Sequence, residues 1–284
     1  MLEILSYLTW DPKPEIFSIG SFGVRYYSIC WLLAFVVSYF LMLKIFKREG
    51  KSQELLDQLT IYIFVGTLLG ARLGHCFFYD WEDYYKDHFL EIFIPFQQIN
   101  GEWKLTGFTG LASHGAAVGI LVALYLFHRK TKTDFLWITD RLILVVPLAG
   151  AFIRIGNFFN SEMIGNPTNL PWAVIFSKEG AITRGVVDTI PRHPAQLYEA
   201  LAYVIIFFLL WALYQKNMKP KPGKLFGIFL ILLFGARFII EFVKIDQVAF
   251  EANMALNMGQ WLSVPFILIG IFLLFRKPKE TAKA

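Results

Sequence analysis

Polar residues able to do chemistry occur in this chain inside runs that are otherwise apolar. The stretch PLAGAFIRIGNFFNSEMIG (147–165) ends one such run yet carries Arg154, Asn157, Asn160 and Glu162. Arg72 and His75 lie in GTLLGARLGHCFFY (66–79), His114 in GFTGLASHGAAVG (107–119), and Arg237 and Glu241 in FGARFIIEFVK (234–244). A guanidinium binds phosphate through two parallel hydrogen bonds and keeps its charge in a poor dielectric. An imidazole can accept a proton near neutral pH. Together these groups suit an anionic, phosphate-bearing ligand. Each also has a plainer explanation. Arg154 and Glu162 could snorkel to an interface, Arg237 and Glu241 at i,i+4 could form a structural ion pair, and His114 could be a hydrogen-bonded structural histidine.

Spacing and depth favour chemistry. Arg154, Asn157 and Ser161 fall at i, i+3 and i+7 and share one face if the helix continues. Counted from the charge that ends each run, Arg72 is 15 residues from Asp57, His114 is 15 from Arg129, Arg154 is 14 from Asp140 and Arg237 is 13 from Lys224. At a rise of about 1.5 Å per residue, all four lie roughly 20–22 Å along their helices. Arginine near the centre of a membrane helix costs about 2.5–3.5 kcal/mol. Three guanidiniums and an imidazole at one level therefore mark a wet, cationic chamber by default.

The elements that position them are membrane helices. Hydrophobic residues make up 56% of the 284 positions and charged residues 17%, with 29 Phe, 12 Tyr and 8 Trp. Seven spans are expected, at about 26–43, 58–79, 111–127, 137–158, 197–214, 225–243 and 259–275, each near the ~20 residues that cross hydrocarbon. The whole chain, 1–284, reads as one all-α integral-membrane domain. Lys44, Lys47, Arg48 and Lys51, then His128 to Lys132, then Lys216 to Lys224, then Arg276 to Lys283 mark one side. Residues 80–110 hold six acidic side chains against Lys86 and Lys104. The excess of Lys and Arg puts the C-terminus in the cytoplasm and the N-terminus outside. Met1–Gly20 lacks a basic leader, so the first span is expected to act as its own insertion signal. Insertions at about 80–110 and 159–196 predict a small extracytoplasmic head, with a short strand where Trp172-Ala-Val-Ile-Phe176 follows a turn.

Several classes are excluded. Cys30 and Cys76 lie far apart in apolar runs, so they read as buried free thiols. No Cys/His cluster or HExxH indicates a metal. The net charge of +5 follows topology and anionic lipid, and no basic-aromatic module points to nucleic acid. Gly66, Gly70 and Gly74 form a stripe for close helix packing. Arg192-His-Pro-Ala-Gln-Leu-Tyr-Glu199 opens span 5, where Gln196 and Glu199 read as capping and helix–helix hydrogen-bond residues. Tyr26 and Tyr27 read as interfacial anchors.

VRYYS (24–28), GARLGHCFFY (70–79), SHGAAVG (113–119), RIGNFFNSEMIG (154–165), RHPAQLYE (192–199) and GARFIIEFVK (235–244) occur in one order across most of the chain. Together they resemble the bacterial phosphatidylglycerol–prolipoprotein diacylglyceryl transferase family, RIGNFFNSE most specifically. The resemblance implies a seven-helix enzyme of the inner membrane with an extracytoplasmic head. It implies transfer of a diacylglyceryl group from phosphatidylglycerol to the lipobox cysteine of a prolipoprotein signal peptide, releasing glycerol 1-phosphate. The family's important positions fall on Tyr27, His114, Arg154, Asn157, Glu162, Gly165, Arg237 and Glu241. Two positions depart from the pattern: Ala116 stands where a second glycine is common, and Lys244 where many members have Arg.

The chemistry needs a thiolate and positive charge at the departing phosphate. His114 is the candidate base, and Arg154 and Arg237 hold the phosphate. Glu241 orients Arg237, while Asn157, Glu162, Gly165, Tyr27 and Arg72 bind or shape. No metal or diffusible cofactor is required. A transporter of anionic lipids would use a similar chamber but would favour an internal repeat; none is evident. A membrane scaffold would not need charges at a shared depth.

Overall fold

The computed structural model describes residues 7–13, 15–19, 22–99, 101–105, 110–177, 190–216, 221–245 and 254–276. Gly107–Thr109 of the His114 stretch, Lys219, Asp246, Lys277, Lys279 and Lys283 lie outside them.

In chain order, β1 (Leu8–Trp10), β2 (Glu15–Ile19) and β3 (Phe22–Arg25) precede α1 (Tyr26–Arg48) and α2 (Gln53–Phe78). A π turn (Trp81–Tyr85) and a 3-10 turn (Phe89–Ile92) lead to β4 (Phe96–Ile99) and β5 (Glu102–Leu105). Then come α3 (Ser113–Thr131), α4 (Phe135–Leu142), α5 (Val146–Phe159), β6 (Val174–Phe176), α6 (Ala195–Lys216), α7 (Lys224–Ile240) and α8 (Met258–Phe275).

Every expected span has its helix, but seven crossings are not established. Five helices are long and apolar enough to cross a membrane: α1, α2, α6, α7 with its 3-10 extension to Val243, and α8. The bent pair α4–α5 can make a sixth. The uninterrupted helix expected at 137–158 is broken, with a bend of 44°. Pro147 explains the break: it has no N–H to donate to the Ile143 carbonyl, and its ring would clash with that carbonyl in a continuous helix, whereas both are tolerated in the first turn of a new one. Leu144 and Val145 instead donate to carbonyls three residues back. The depth count for Arg154 assumed one straight helix from Asp140, so it overstates the rise. Asp140 is no edge charge either. It is fully buried and accepts from the N–H groups of Gly223 and Phe226, both at 2.8 Å, which satisfies the free end of α7.

The chain forms two compact units, residues 1–42 with 139–284 and residues 43–138. In the second, α2 and α3 pack backbone to backbone. A Cβ placed on Gly70 would lie 2.3 Å from the Gly115 carbonyl oxygen, and one on Gly119 would lie 2.0 Å from that of Gly66. The glycine stripe expected from sequence is this seam. Its α3 side uses Gly115 and Gly119, four apart, so Ala116 stands off the contact and costs nothing there.

In the first unit the expected strand is β6, which pairs in parallel with β1 (Leu8 with Val174, Trp10 with Phe176). Phe158, Ile164, Val174 and Phe176 form a small core with Trp10 and Ile245 against it. The Trp10 indole donates to the Phe158 carbonyl at 2.8 Å. This core holds the loop that leaves α5. Two hairpins complete the strands, β2–β3 and β4–β5.

Candidate functional site

The first unit contains a continuous polar network centred on Glu199, one turn into α6. Glu199 is fully buried. One carboxylate oxygen lies against Arg154 Nε and the other is 3.3 Å from Lys244 Nζ. Lys244, also buried, reaches Glu241 at 3.1 Å. Cations and anions therefore alternate: Arg154, Glu199, Lys244, Glu241. An unpaired charge at such a site is very costly, and only alternation makes burial tolerable.

Arg154 is held on a second side. Its Nη1 donates to Asn157 Oδ1 at 3.1 Å, and Asn157 Nδ2 donates to Glu162 at 3.1 Å. Asn160 donates to the other Glu162 oxygen at 2.9 Å, and Gln196 donates to the Glu162 backbone carbonyl. With Nε and one terminal nitrogen tied, the guanidinium is aimed by its partners. Tyr27 packs at the same level of α5, because a Cβ on Gly156 would lie 2.8 Å from its ring. Ser161 does not share the Arg154 face. The helix ends at Phe159, and Ser161 adopts a φ of 55° with its hydroxyl buried and without a hydrogen-bond partner among the described residues.

Gly165 sits where three segments cross. A Cβ there would meet His193 Cβ at 2.5 Å and the Val243 carbonyl oxygen at 2.6 Å. Its backbone pairs with that of Lys244, and Asn166 N–H donates to the Val243 carbonyl. Only glycine permits this approach. Beside it, His193 Nδ1 lies 3.1 Å from the Tyr198 hydroxyl, which accepts from the Trp172 indole at 2.7 Å. Burial pushes the His193 imidazole below its ordinary range.

Arg237 is the exception. The expected pair with Glu241 does not form: α7 gives way to a 3-10 turn at Glu241, and that carboxylate turns to Lys244. Among the described residues Arg237 makes no hydrogen bond or ion pair. It is half-buried, close enough to Tyr203 to act on it electrostatically.

The second unit uses its charged residues differently. Arg72 is buried, and its guanidinium donates to the carbonyls of Ile92 (3.1 Å) and Glu91 and to the Tyr85 hydroxyl (3.0 Å). Glu91, also buried, accepts from Tyr84 at 2.7 Å and from the Gln98 N–H at 3.1 Å. That hydrogen bond pushes the Tyr84 phenol up to about 12. His114, in the first turn of α3, is exposed and lines an apolar groove of about 1130 Å³ along α2 and α3.

Of the nine residues singled out, the first unit brings together Arg154, Asn157 and Glu162 in one network, places Tyr27 against the same helix, and ties Glu241 in through Lys244. Glu199 and Lys244 were underweighted. Glu199 reads as a cap because it lies near the start of a helix, and the signal against that is its place one turn inside a strongly apolar span. Lys244 follows Glu241 by three, which is as good a pairing distance as the four that separate Arg237 from it.

Residues 14–276 match the family model for prolipoprotein diacylglyceryl transferase. The chain is 42% identical over 277 residues to the phosphatidylglycerol–prolipoprotein diacylglyceryl transferase of Bacteroides fragilis, covering 97% of both proteins. It is 43% identical to that of Tolumonas auensis, covering 97% of this chain and all of the relative. With the Chloroherpeton thalassium enzyme it shares 40% over 281 residues, 98% of this chain and 97% of the relative. On this evidence, and on a polar network that falls on the motifs carrying the resemblance, the chain belongs to the prolipoprotein diacylglyceryl transferase family.

Proposed function

We propose that the chain joins the diacylglyceryl group of phosphatidylglycerol to the lipobox cysteine of prolipoproteins, with Arg154 and Arg237 receiving the phosphate. The cysteine sulfur attacks the glyceryl carbon that bears the phosphate. A C–S bond forms, the C–O bond breaks, and glycerol 1-phosphate departs. The thiol proton goes to a base, assigned to His114 on its type and exposure.

One observation carries the reading of the site. In a unit where Arg154 and Lys244 are both matched to carboxylates, Arg237 has no such partner among the described residues. A phosphate supplies one and releases no buried anion in exchange. Arg154, aimed by Glu199 and Asn157, is preorganised to stabilise charge that grows as the C–O bond lengthens. Glu162 then acts through Asn157, Tyr27 lines the site, and Gly165 and Glu241 hold its walls. Arg72 we assign to holding residues 85–92.

The same reading takes α3 as a seventh span, docked on α2 through the glycine seam. It places the N-terminus outside and the C-terminus in the cytoplasm of the bacterial inner membrane. The clusters of Lys and Arg and the acidic 80–110 segment support this orientation. Purified protein incubated with phosphatidylglycerol and a lipobox cysteine peptide should yield the thioether peptide and equimolar glycerol 1-phosphate. Lipid movement across the bilayer without either product would overturn the reading.

A further inference from the structure

We propose that Lys244 is a positioning residue: its ammonium occupies Glu241 and Glu199 and so keeps the Arg237 guanidinium open for the lipid phosphate. The inference rests on the function proposed above and deepens it at a residue where this chain departs from the family pattern.

Arg237 and Glu241 are one turn apart, and the Glu241 N–H still donates to the Arg237 carbonyl. Side chains so placed ordinarily meet. They do not, because Glu241 has a better-placed partner. Lys244 Nζ lies 3.1 Å from one Glu241 oxygen and 3.3 Å from Glu199, with all three residues buried. The other Glu241 oxygen faces the start of α8, where a Cβ on Gly259 would come within 2.5 Å of it. The backbone fixes the lysine as firmly. Residues 243–245 pair with 164–166: Asn166 N–H donates to Val243, and Ile245 N–H to Ile164. The ammonium cannot follow Glu241 elsewhere, nor Glu241 leave it cheaply.

The charges give the consequence. Glu199 and Glu241 are the carboxylates in contact with Arg154 and Lys244, Glu162 is engaged by Asn157 and Asn160, and among the described residues no carboxylate touches Arg237. Without Lys244, two buried carboxylates would face Arg154 alone. In a low dielectric such an imbalance is corrected by the nearest mobile cation. Arg237 would fold onto Glu241, and the lipid phosphate would then compete with a built-in anion. That cost falls on ground-state binding of phosphatidylglycerol, so it should appear in KM. A lysine that merely stabilised the fold would lower the amount of folded enzyme and leave KM unchanged.

The test compares Lys244→Met, Lys244→Arg and the double variant Lys244→Met/Glu241→Gln. KM for phosphatidylglycerol and kcat are measured at saturating peptide, on protein whose folded fraction is set by thermal melting. Lys244→Met should raise KM by about tenfold or more, the sign of lost ground-state binding. Lys244→Arg should stay near wild type. The double variant should recover most of the KM defect, because the carboxylate that would capture Arg237 is neutral. Lys244→Gln takes the place of Lys244→Met if that variant does not fold. An unchanged KM in the single variant, or a double variant no better than the single, would overturn the proposal. A wild-type protein that makes no thioether would instead overturn the function on which it rests.

Discussion

Arg72 and Arg154 are the same side chain in comparable places, each inside an apolar helix and largely shielded from solvent. Their neighbours differ. Arg72 donates to two backbone carbonyls and the Tyr85 phenol, all within twenty residues of it in sequence. It pins the 85–92 turn to α2. Arg154 is held by Glu199 and Asn157, and those partners belong to a chain of alternating charges that ends beside an unmatched arginine. Donation to backbone carbonyls and a phenol close in sequence fits an arginine that holds a local turn. An arginine that no carboxylate touches, beside cations that each have one, is the group we propose receives the anion. On the function proposed above, the type of partner separates a structural guanidinium from a functional one better than depth does.

The largest effect should come from the network's centre. Glu199→Ala leaves Arg154 and Lys244 without their shared carboxylate, and breaking a buried pair from one side costs about 3–5 kcal/mol. The melting temperature should fall steeply and transfer should disappear. A variant that melts like wild type would show that Glu199 does not organise the unit. A smaller effect is expected at the anchor of the other unit. Tyr84→Phe removes one hydrogen bond to a buried carboxylate, worth about 1–2 kcal/mol, and should speed proteolysis within residues 80–105 while turnover per folded molecule is kept. This contact has a pH signature. The Tyr84 pKa is raised from 10 to about 12, so its stabilisation is complete below 10 and is lost as pH rises from 10 toward 12. Alkaline loosening of the 80–105 segment that Tyr84→Phe leaves unchanged would exclude Tyr84 as its cause. The smallest effect concerns Gly235, where an added Cβ meets nothing within 4 Å. Gly235→Ala should stabilise α7 by about 0.5–1 kcal/mol, whereas a measurable loss would mean that the space beside it is used.

Much of this was legible in the residues. Apolar run length placed helix at each of the seven expected runs, although 137–158 is a bent pair and five or six of the runs qualify as candidate spans. The Gly66–Gly70–Gly74 stripe declared the α2–α3 seam, since only small residues allow backbones so close. What failed did so for identifiable reasons. Apolar run length alone makes 137–158 one helix, whereas Pro147 breaks it, and a depth for Arg154 counted from Asp140 is therefore too large. The i,i+4 rule paired Arg237 with Glu241 because it ranks neighbours on one helix only. Lys244, reached where the helix ends, and Glu199, on another helix, were invisible to it. Asp140 served as an edge marker until α7 came to it across more than eighty residues. The sequence named the polar residues well and named their partners poorly, because partners are set by tertiary contact.

The most direct measurement places Arg237→Ala beside Arg72→Ala, with turnover per folded molecule and melting temperature read on both. Arg237→Ala should lose about 100-fold or more in turnover, as for removal of a preorganised charge-stabilising group, and melt like wild type because it breaks no pair. Arg72→Ala should do the reverse, melting several degrees lower with turnover per folded molecule nearly intact. Near-normal turnover by folded Arg237→Ala, or a catalytic loss in Arg72→Ala that its stability does not explain, would contradict the account.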